Sequence, residues 1–429
     1  LTGARKFSSI LIWSVISAAF IGPGTLTTAI AAGSLYKLDL IWAVILSGIA
    51  CFMLLELAGR ISIATNKSMG TLLLQRFGKS KGKTISIVLG IAVIFGCAAY
   101  EAGNIMGAVS GLQLLSGLKP KLLTLIITIL ACIVLWSGKR KLIALIMTAL
   151  VMLMGFAFCW LAIKNFPDAN SFISAFRNIH IPKEAQLITV GLIGTTIVPY
   201  NLFIGAGISK GQDLFTMRTG LVLSVFIGTL ITLSILIAGN VVDDFSSFAD
   251  LQFALESHLG IAAGILLGLG LLAAGFSSAV TSPYAASIVA EDVLNIKSKS
   301  KIKLVWGLVL LSGLLFGMSD YRPIPVIIAA QAINGLILPL VAVYLIILSN
   351  DRSLINSKHA HPFAYNILLL LVLAIVMLIG LHNIDKSLAQ VFNMESGNWL
   401  IIFLVTTLVL LLVIWQLIKK RKFSQVNFL

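Results

Sequence analysis

Apolar runs of about 20 residues recur from one end of the chain to the other, parted by short polar or basic segments. A run of that length crosses a hydrocarbon core about 30 Å thick when it is helical. The pattern predicts twelve spans, near residues 8–34, 39–60, 84–116, 121–137, 142–163, 186–209, 216–240, 260–289, 303–319, 324–349, 363–382 and 398–418. No polar segment between them is long enough to fold alone. The expectation is an all-α integral membrane protein of about 12 transmembrane helices.

Two of the runs are interrupted. The first carries "FIGPGTLTTA" (20–29), which predicts half-helices 8–21 and 25–34 joined by Gly22, Pro23 and Gly24. Proline removes a backbone donor and disfavours helix at the residue before it, while Gly24 turns freely. Irregular backbone at this depth is tolerated only where it is buried in protein or lines a watery cavity. One such proline reads as an ordinary kink. The sixth run, "VGLIGTTIVPYNLFIGAGIS" (190–209), has a second one, Pro199, at mid-depth. Five spans separate the two breaks, so the half-bundles enter from opposite sides. Paired interruptions at matching positions of inverted halves point to a secondary transporter and to its binding site. The expected division is a first five-helix repeat over 1–165, a second, inverted one over 166–350, and two further helices with a tail over 351–429.

Composition agrees: 59% of residues are hydrophobic, 11% are charged, and the mean hydropathy is +1.03. The net charge of +15 would suit nucleic acid, but its placement argues against that. The basic clusters are Arg60 to Lys83, "GKRK" (138–141), "KSKSKIK" (297–303) and "KKRK" (419–422), all on one side of the predicted topology. The acidic loop "VVDDFSSFAD" (241–250) falls on the other. The positive-inside rule then places both termini in the cytoplasm of a multi-pass cell-membrane protein. Cys51, Cys97, Cys132 and Cys159 lie within spans without CxxC spacing, which supports neither a disulfide framework nor a zinc site. The opening "LTGARKFSS" reads as clipped, with no cleavable signal peptide before the first span.

Four stretches carry a family resemblance. They are 22–68, beginning "GPGTLTTAIAAGSLY", "IGTTIVPYNLFIGAGISK" (193–210), "GLLAAGFSSAVTSPYAASIVAEDVLN" (268–295) and "ILPLVAVYLIILSNDRSL" (337–354). In this order they resemble helices 1–2, 6, 8 and 10 of the NRAMP transporters, proton-coupled importers of divalent transition metals. The resemblance implies a LeuT-like fold, a 5+5 inverted repeat with helices 1 and 6 broken, and alternating access. It also implies a contrast at the site. The family's first break reads Asp-Pro-Gly-Asn, and its Asp and Asn ligate the metal; the matching positions here are Gly22 and Thr25. The second break reads Met-Pro-His, where Met selects soft metals and His assists proton movement; here those positions are Val198 and Tyr200.

Neither break offers Asp, Glu, His, Cys or Met, and the five histidines (His180, His258, His359, His361, His382) fall in loops or at span ends. A divalent cation needs several ligands, carboxylates for hard ions or imidazole and thioether for softer ones. A half-helix beginning at Thr25, by contrast, offers unpaired N–H groups and a partial positive charge that suit an anion. Thr25, Thr27, Thr28, Thr195, Thr196, Tyr200 and Asn201 add donors, although threonine in a spanning helix often bonds back to a carbonyl one turn earlier. The expected substrate site is therefore Gly22, Gly24, Thr25, Thr195, Thr196, Val198, Tyr200 and Asn201. The expected cargo is a small inorganic or organic anion, bicarbonate favoured. The alternative is a divalent metal cation, Mg2+ or Mn2+, held through water and carbonyls.

Glu101 in "CAAYEAGNIMGAV" (97–109) sits mid-span, three residues before Asn104. An ionisable group at this depth is by default functional, here as the proton-coupling residue, against a plain interhelical hydrogen bond. Glu56 lies four residues before Arg60 and reads as a structural ion pair. "SSAVTSPYAAS" (277–287), Gln331 and Asn334 either line the pathway or bond helices together, and "GAVSG" (107–111) is a small-xxx-small packing pattern. No nucleophile–base pair shares a depth, so no enzyme is expected. Nor is a cofactor, a resident metal, a nucleic-acid partner or an obligatory oligomer; the partners are the ion and the lipid bilayer. A non-transporting receptor would have no reason to keep both breaks.

Overall fold

The computed structural model describes residues 12–177, 180–182, 185–242, 245–356, 359–392 and 397–426. The first apolar run forms α1 (Ser14–Phe20) and α2 (Pro23–Tyr36), bent by 54° at the break. Then come α3 (Ile41–Thr65), the short α4 (Met69–Phe77), α5 (Lys79–Ser116), α6 (Pro120–Trp136), α7 (Arg140–Lys164) and the short α8 (Ala169–Arg177). The second interrupted run forms α9 (Gln186–Thr196) and α10 (Pro199–Ser209). It is followed by α11 (Leu214–Gly239), α12 (Phe248–Leu259), α13 (Ile261–Asp292), α14 (Lys299–Met318), α15 (Pro323–Ser349), α16 (Phe363–Phe392) and α17 (Trp399–Val426).

Among the described residues nine helices are long and apolar enough to cross a membrane, and the bent pair makes a tenth. Two shorter apolar helices, Pro120–Trp136 and Ile337–Ser349, stand where the remaining two spans are expected. The two breaks differ in shape. The second leaves its axis straight enough for Ile188–Ser209 to read as one span of 22 residues, whereas the first turns sharply.

Small residues set how the helices meet. The helices α5 and α13 run antiparallel in close contact: a Cβ on Gly275 would lie 2.2 Å from the Ala108 nitrogen, and one on Gly111 2.3 Å from the Leu272 nitrogen. The Ser282 hydroxyl donates to the Cys97 carbonyl at 2.8 Å along the same seam. The "GAVSG" pattern is thus a packing surface, with Gly107 against the Pro23 ring. Between α2 and α11, Gly33 lies against the Leu236 carbonyl and Gly239 against the Ile30 carbonyl. Without a hydrophobic drive between helices in lipid, such close backbone approach is what dispersion needs.

At one end of the bundle, Glu56 is buried and accepts hydrogen bonds from Arg60, from Arg218 at 2.9 and 3.0 Å, and from the Tyr365 hydroxyl at 3.3 Å. The expected Glu56–Arg60 pair therefore ties α3 to α11 and α16 as well. Burial beside Arg60 pushes the neighbouring His361 imidazole down to about 4, which leaves it neutral. The four cysteines are free.

The α2–α11 crossing makes a stability prediction. A Cβ on Gly33 would stand 2.0 Å from a main-chain oxygen, which no rotamer change relieves. Gly33→Leu should cost about 3 kcal/mol or more, because overpacking against backbone exceeds the usual range of about 1–3 kcal/mol. Gly307→Leu meets nothing within 4 Å and should stay within about 0.5 kcal/mol of the parent. Thermal denaturation in detergent, run on both variants, checks the difference.

Candidate substrate site at the two helix breaks

The two breaks share one backbone recipe. Ile21 (φ −108°, ψ 88°) and Ile197 (φ −100°, ψ 83°) end their half-helices. Gly22 (φ −104°, ψ 178°) and Val198 (φ −87°, ψ 123°) follow as extended residues, and a proline opens each second half. Ile-x-Pro, at 21–23 and 197–199, is the sequence form of this motif. Proline serves as the first helical residue because its missing N–H is one a helix start leaves unused.

Ending α1 inside the protein exposes its last carbonyls, and three elements supply their donors. The Ser277 hydroxyl of α13 donates to the Ala18 oxygen at 3.3 Å, the Asn201 amide of α10 to Ala19 at 3.1 Å, and the Thr25 hydroxyl of α2 to Phe20 at 3.1 Å. The second break thus helps to satisfy the first. Pro23 is held in turn against Gly107, where a Cβ would come within 2.3 Å of its ring.

The expected site residues converge at this place, and all are buried apart from Gly22, which is half-buried. The threonine hydroxyls here are already engaged. Thr27 and Thr28 donate to the carbonyls of Pro23 and Gly24, at 2.8 and 2.9 Å. Thr195 and Thr196 donate to Leu192, at 3.2 and 2.9 Å, and Thr196 accepts from Ser47. The Tyr200 ring stands edge-on to Tyr100 at 5.8 Å, and Val198 supplies only an apolar side chain to the second break.

Three further residues complete the cluster. A Cβ on Gly22 would lie 2.9 Å from the Ser278 hydroxyl of α13 and 3.8 Å from the Asn104 side-chain oxygen of α5. The Asn104 amide points to the Glu101 carboxylate, 3.4 Å away. Gln331 of α15 lies over Gly24, and its Oε1 accepts from Thr28 at 3.1 Å. The sequence points to Gln331 as a pathway or bonding residue and to Asn104 beside Glu101, and to Ser278 only as one hydroxyl within the stretch 277–287. Its signal is a hydroxyl at mid-depth in a span that also carries Pro283.

What remains unsatisfied defines the chemistry. Glu101 Oε1, Asn201 Oδ1, Ser278 Oγ and Gln331 Nε2 are buried without a hydrogen-bond partner. Three of the four are oxygens with acceptor capacity. Glu101 is fully buried, and among the described ion pairs no lysine or arginine meets it. No group of three or more His, Cys, Asp or Glu able to hold a metal ion occurs among the described residues. The unsatisfied groups near the breaks are thus one carboxylate oxygen, two neutral oxygens and one amide nitrogen.

The two glycines at the first break make a paired prediction. Gly24→Ala meets the far end of the Gln331 side chain at 2.3 Å, which swings away at the cost of the Thr28 bond. That bond is worth about 1 kcal/mol. Gly107→Ala meets the rigid Pro23 ring and should cost about 3 kcal/mol. Melting temperatures in detergent should fall further for Gly107→Ala; equal losses would mean that the Pro23 seat is not rigid.

Comparison with known proteins gives consistent matches. Residues 14–385 match the family model described as natural resistance-associated macrophage protein-like. A protein of Levilactobacillus brevis named divalent metal cation transporter MntH is 26% identical over 314 residues, covering 66% of this chain and 67% of that protein. Its namesake from Nostoc sp. is 27% identical over 373 residues, covering 80% and 83%. Among solved structures, a manganese transporter of Eremococcus coleocola superposes with a TM-score of 0.79 at 18% identity, covering 98% of this chain and 96% of that one. The chain has the LeuT-like fold of these transporters. These findings overturn the expectation of a small anion, bicarbonate foremost, since the relatives are named for divalent metal cations or manganese. The geometry supplies a reason: the threonine protons counted as anion donors are spent on main-chain carbonyls, and three of the four unpaired groups near the breaks are oxygens. With a family match over 14–385 of its 429 residues, the chain belongs to the Nramp family of membrane transporters.

Proposed function

We propose that this protein is a secondary transporter that carries a divalent metal cation, magnesium or manganese, across a cell membrane by alternating access. The observation that carries the reading is the set of buried, unpartnered oxygens of Glu101, Asn201 and Ser278 around the two breaks. The C-terminal end of α1 adds partial negative charge at the same place. The names of the relatives point to the same class of cargo.

With one carboxylate and several neutral oxygens, the site suits a hard cation that keeps much of its water shell. Magnesium binds in this way, through one or two carboxylates and retained waters. Val198 stands where a thioether would favour soft metals, so discrimination toward softer ions is lost. In this reading Gly22 lets Ser278 and Asn104 come close to the first break, where a Cβ would meet the Ser278 hydroxyl at 2.9 Å. Asn201 offers its oxygen, and Gln331 orders water through its amide. Glu101 supplies the single negative charge and exchanges its proton as the cation arrives. Residues 1–165 and 166–350 form the two inverted repeats that move about this site. Both chain ends lie in the cytoplasm, on the side of the basic clusters.

Purified protein in liposomes loaded with a magnesium- or manganese-sensitive dye tests this directly. Saturable entry of either ion above protein-free liposomes is expected. Glu101→Gln should lower the apparent affinity about tenfold or more, from the roughly 1.5–3 kcal/mol that contact with a charged partner is worth. Because protonation of Glu101 competes with the cation, uptake by the parent should weaken as the pH on the loading side falls, and the variant should be flat. No entry of either ion, with the protein verified as folded, would sink the reading.

A further inference from the structure

The end of the bundle that carries the N-termini of α5 and α14 holds a surface that ion transport does not use. Lys79, Lys81 and Lys83 of α5, Lys139 and Lys141 at the α6–α7 turn, and Lys297, Lys299, Lys301 and Lys303 at the start of α14 are all exposed. Among the described residues none of them is ion-paired; Asp292, close by, is taken by Lys210 at 2.7 Å. The exposed Glu291 is the next acid in sequence. The helices bring these lysines to one face. The Ser312 hydroxyl of α14 donates to the Ala98 carbonyl of α5, an offset of 214 residues between parallel helices. Ahead of α14, Leu294 packs against Gly90 of α5, and Val293 to Asn295, ending two residues short of Lys297 in sequence, line one cavity with Lys83. On the other side, α6 runs antiparallel to α14 and stacks Trp136 edge-on to Trp306 at 6.1 Å, which brings the α6–α7 lysines alongside.

A cavity of about 250 Å³ opens within this face, lined among others by Lys83, Ser86, Ile87, Leu294 and Asn295. The Ser86 hydroxyl in it is buried and has no partner. Immediately toward the apolar belt the same helices expose hydrocarbon: Val88 and Ile91 on α5, Leu304 and Leu308 on α14, Ile133 on α6. Trp136 marks the boundary, exposed, with the Lys303 ammonium 4.3 Å from its ring centroid. Aromatic side chains of this kind sit at headgroup level. Cations above, an unpaired hydroxyl in a small cavity and apolar side chains below follow the outline of a single amphiphile. Its head must be an anion and its tail an acyl chain.

We propose that the Lys83–Ser86 cavity and the surrounding lysines of α5 and α14 form a binding site for the headgroup of an anionic phospholipid, the phosphate seated by Lys83, Ser86 and Lys297. Basic residues at a membrane surface each add to anionic-lipid binding, and basic pockets between spanning helices hold such headgroups. The site lies apart from the helix breaks, so it stands whichever ion is carried.

The test uses the full-length protein in detergent, titrated with phosphatidylglycerol, phosphatidylcholine or inorganic phosphate, and reads melting temperature and co-purified lipid. Phosphatidylglycerol should raise the melting temperature and be retained, while phosphatidylcholine should do neither. The triple variant Lys83→Gln, Lys297→Gln, Lys299→Gln should bind phosphatidylglycerol roughly a hundredfold more weakly, at about fivefold per lysine. Lys119→Gln, at the opposite end of α5, should bind as the parent does. Equal retention of both lipids, or no loss in the triple variant, would overturn the proposal. So would inorganic phosphate reproducing the shift at the same headgroup concentration, since a free oxyanion would then suffice.

Discussion

In hydrocarbon a main-chain carbonyl without a donor costs several kcal/mol, and the end of α1 presents three of them in the interior of the bundle. Ser277, Asn201 and Thr25 answer those of Ala18, Ala19 and Phe20 in turn. These donors come from α13, α10 and α2. The break therefore exists only when four separate segments are in register, and the arrangement of α10 and α13 around it follows from that need. A helix that simply continued past residue 20 would ask nothing of its neighbours. This one makes its own interruption the point at which both broken spans are tied together.

The glycine and alanine seams serve the same end. Pro23 can open α2 only if something seats its ring, and the bare backbone at Gly107 does so. α5 can come that close because Gly111, Gly275 and Ala108 let it lie against α13. The helix that seats the proline also carries Glu101 and Asn104, so the packing that permits the break delivers the site's carboxylate to it. Stability and site geometry are here one set of contacts.

Much of this is legible in the sequence, because lipid makes strict demands. Apolar length identifies the spans, and Ile-x-Pro at matching positions of the two halves identifies the breaks, which a proline alone does not, since Pro283 and Pro339 sit inside continuous helices. The family resemblance in four separate stretches fixes the fold. The direction of the hydroxyls is not legible. A threonine at Thr25, Thr195 or Thr196 looks like a spare donor until the backbone around it is known. Once the helix breaks, the nearest orphan carbonyl claims the proton. The difference between a 54° bend and an interruption that leaves one span is hidden for a related reason: both are written Ile-x-Pro, and the packing of the half-helices decides the angle. Ser278 and Gln331 reach the site through helix crossings that no local pattern encodes.

The anion reading rested on counting charges removed from the breaks, with the oxyanion placed against helix N–H groups and hydroxyl protons. Hydrogen bonds reverse that argument. The threonine protons at the site are consumed by the structure itself, and the unpaired capacity belongs to the Glu101 carboxylate, the Asn201 amide oxygen, the Ser278 hydroxyl and the Gln331 amide nitrogen. Burying an ion among neutral oxygens is costly when the ion must be stripped of water, and far less so when it keeps its inner waters and hands their protons to those oxygens. Gly22 matters in this light for the close approach it permits, since a Cβ there would stand 2.9 Å from the Ser278 hydroxyl and 3.8 Å from the Asn104 side-chain oxygen.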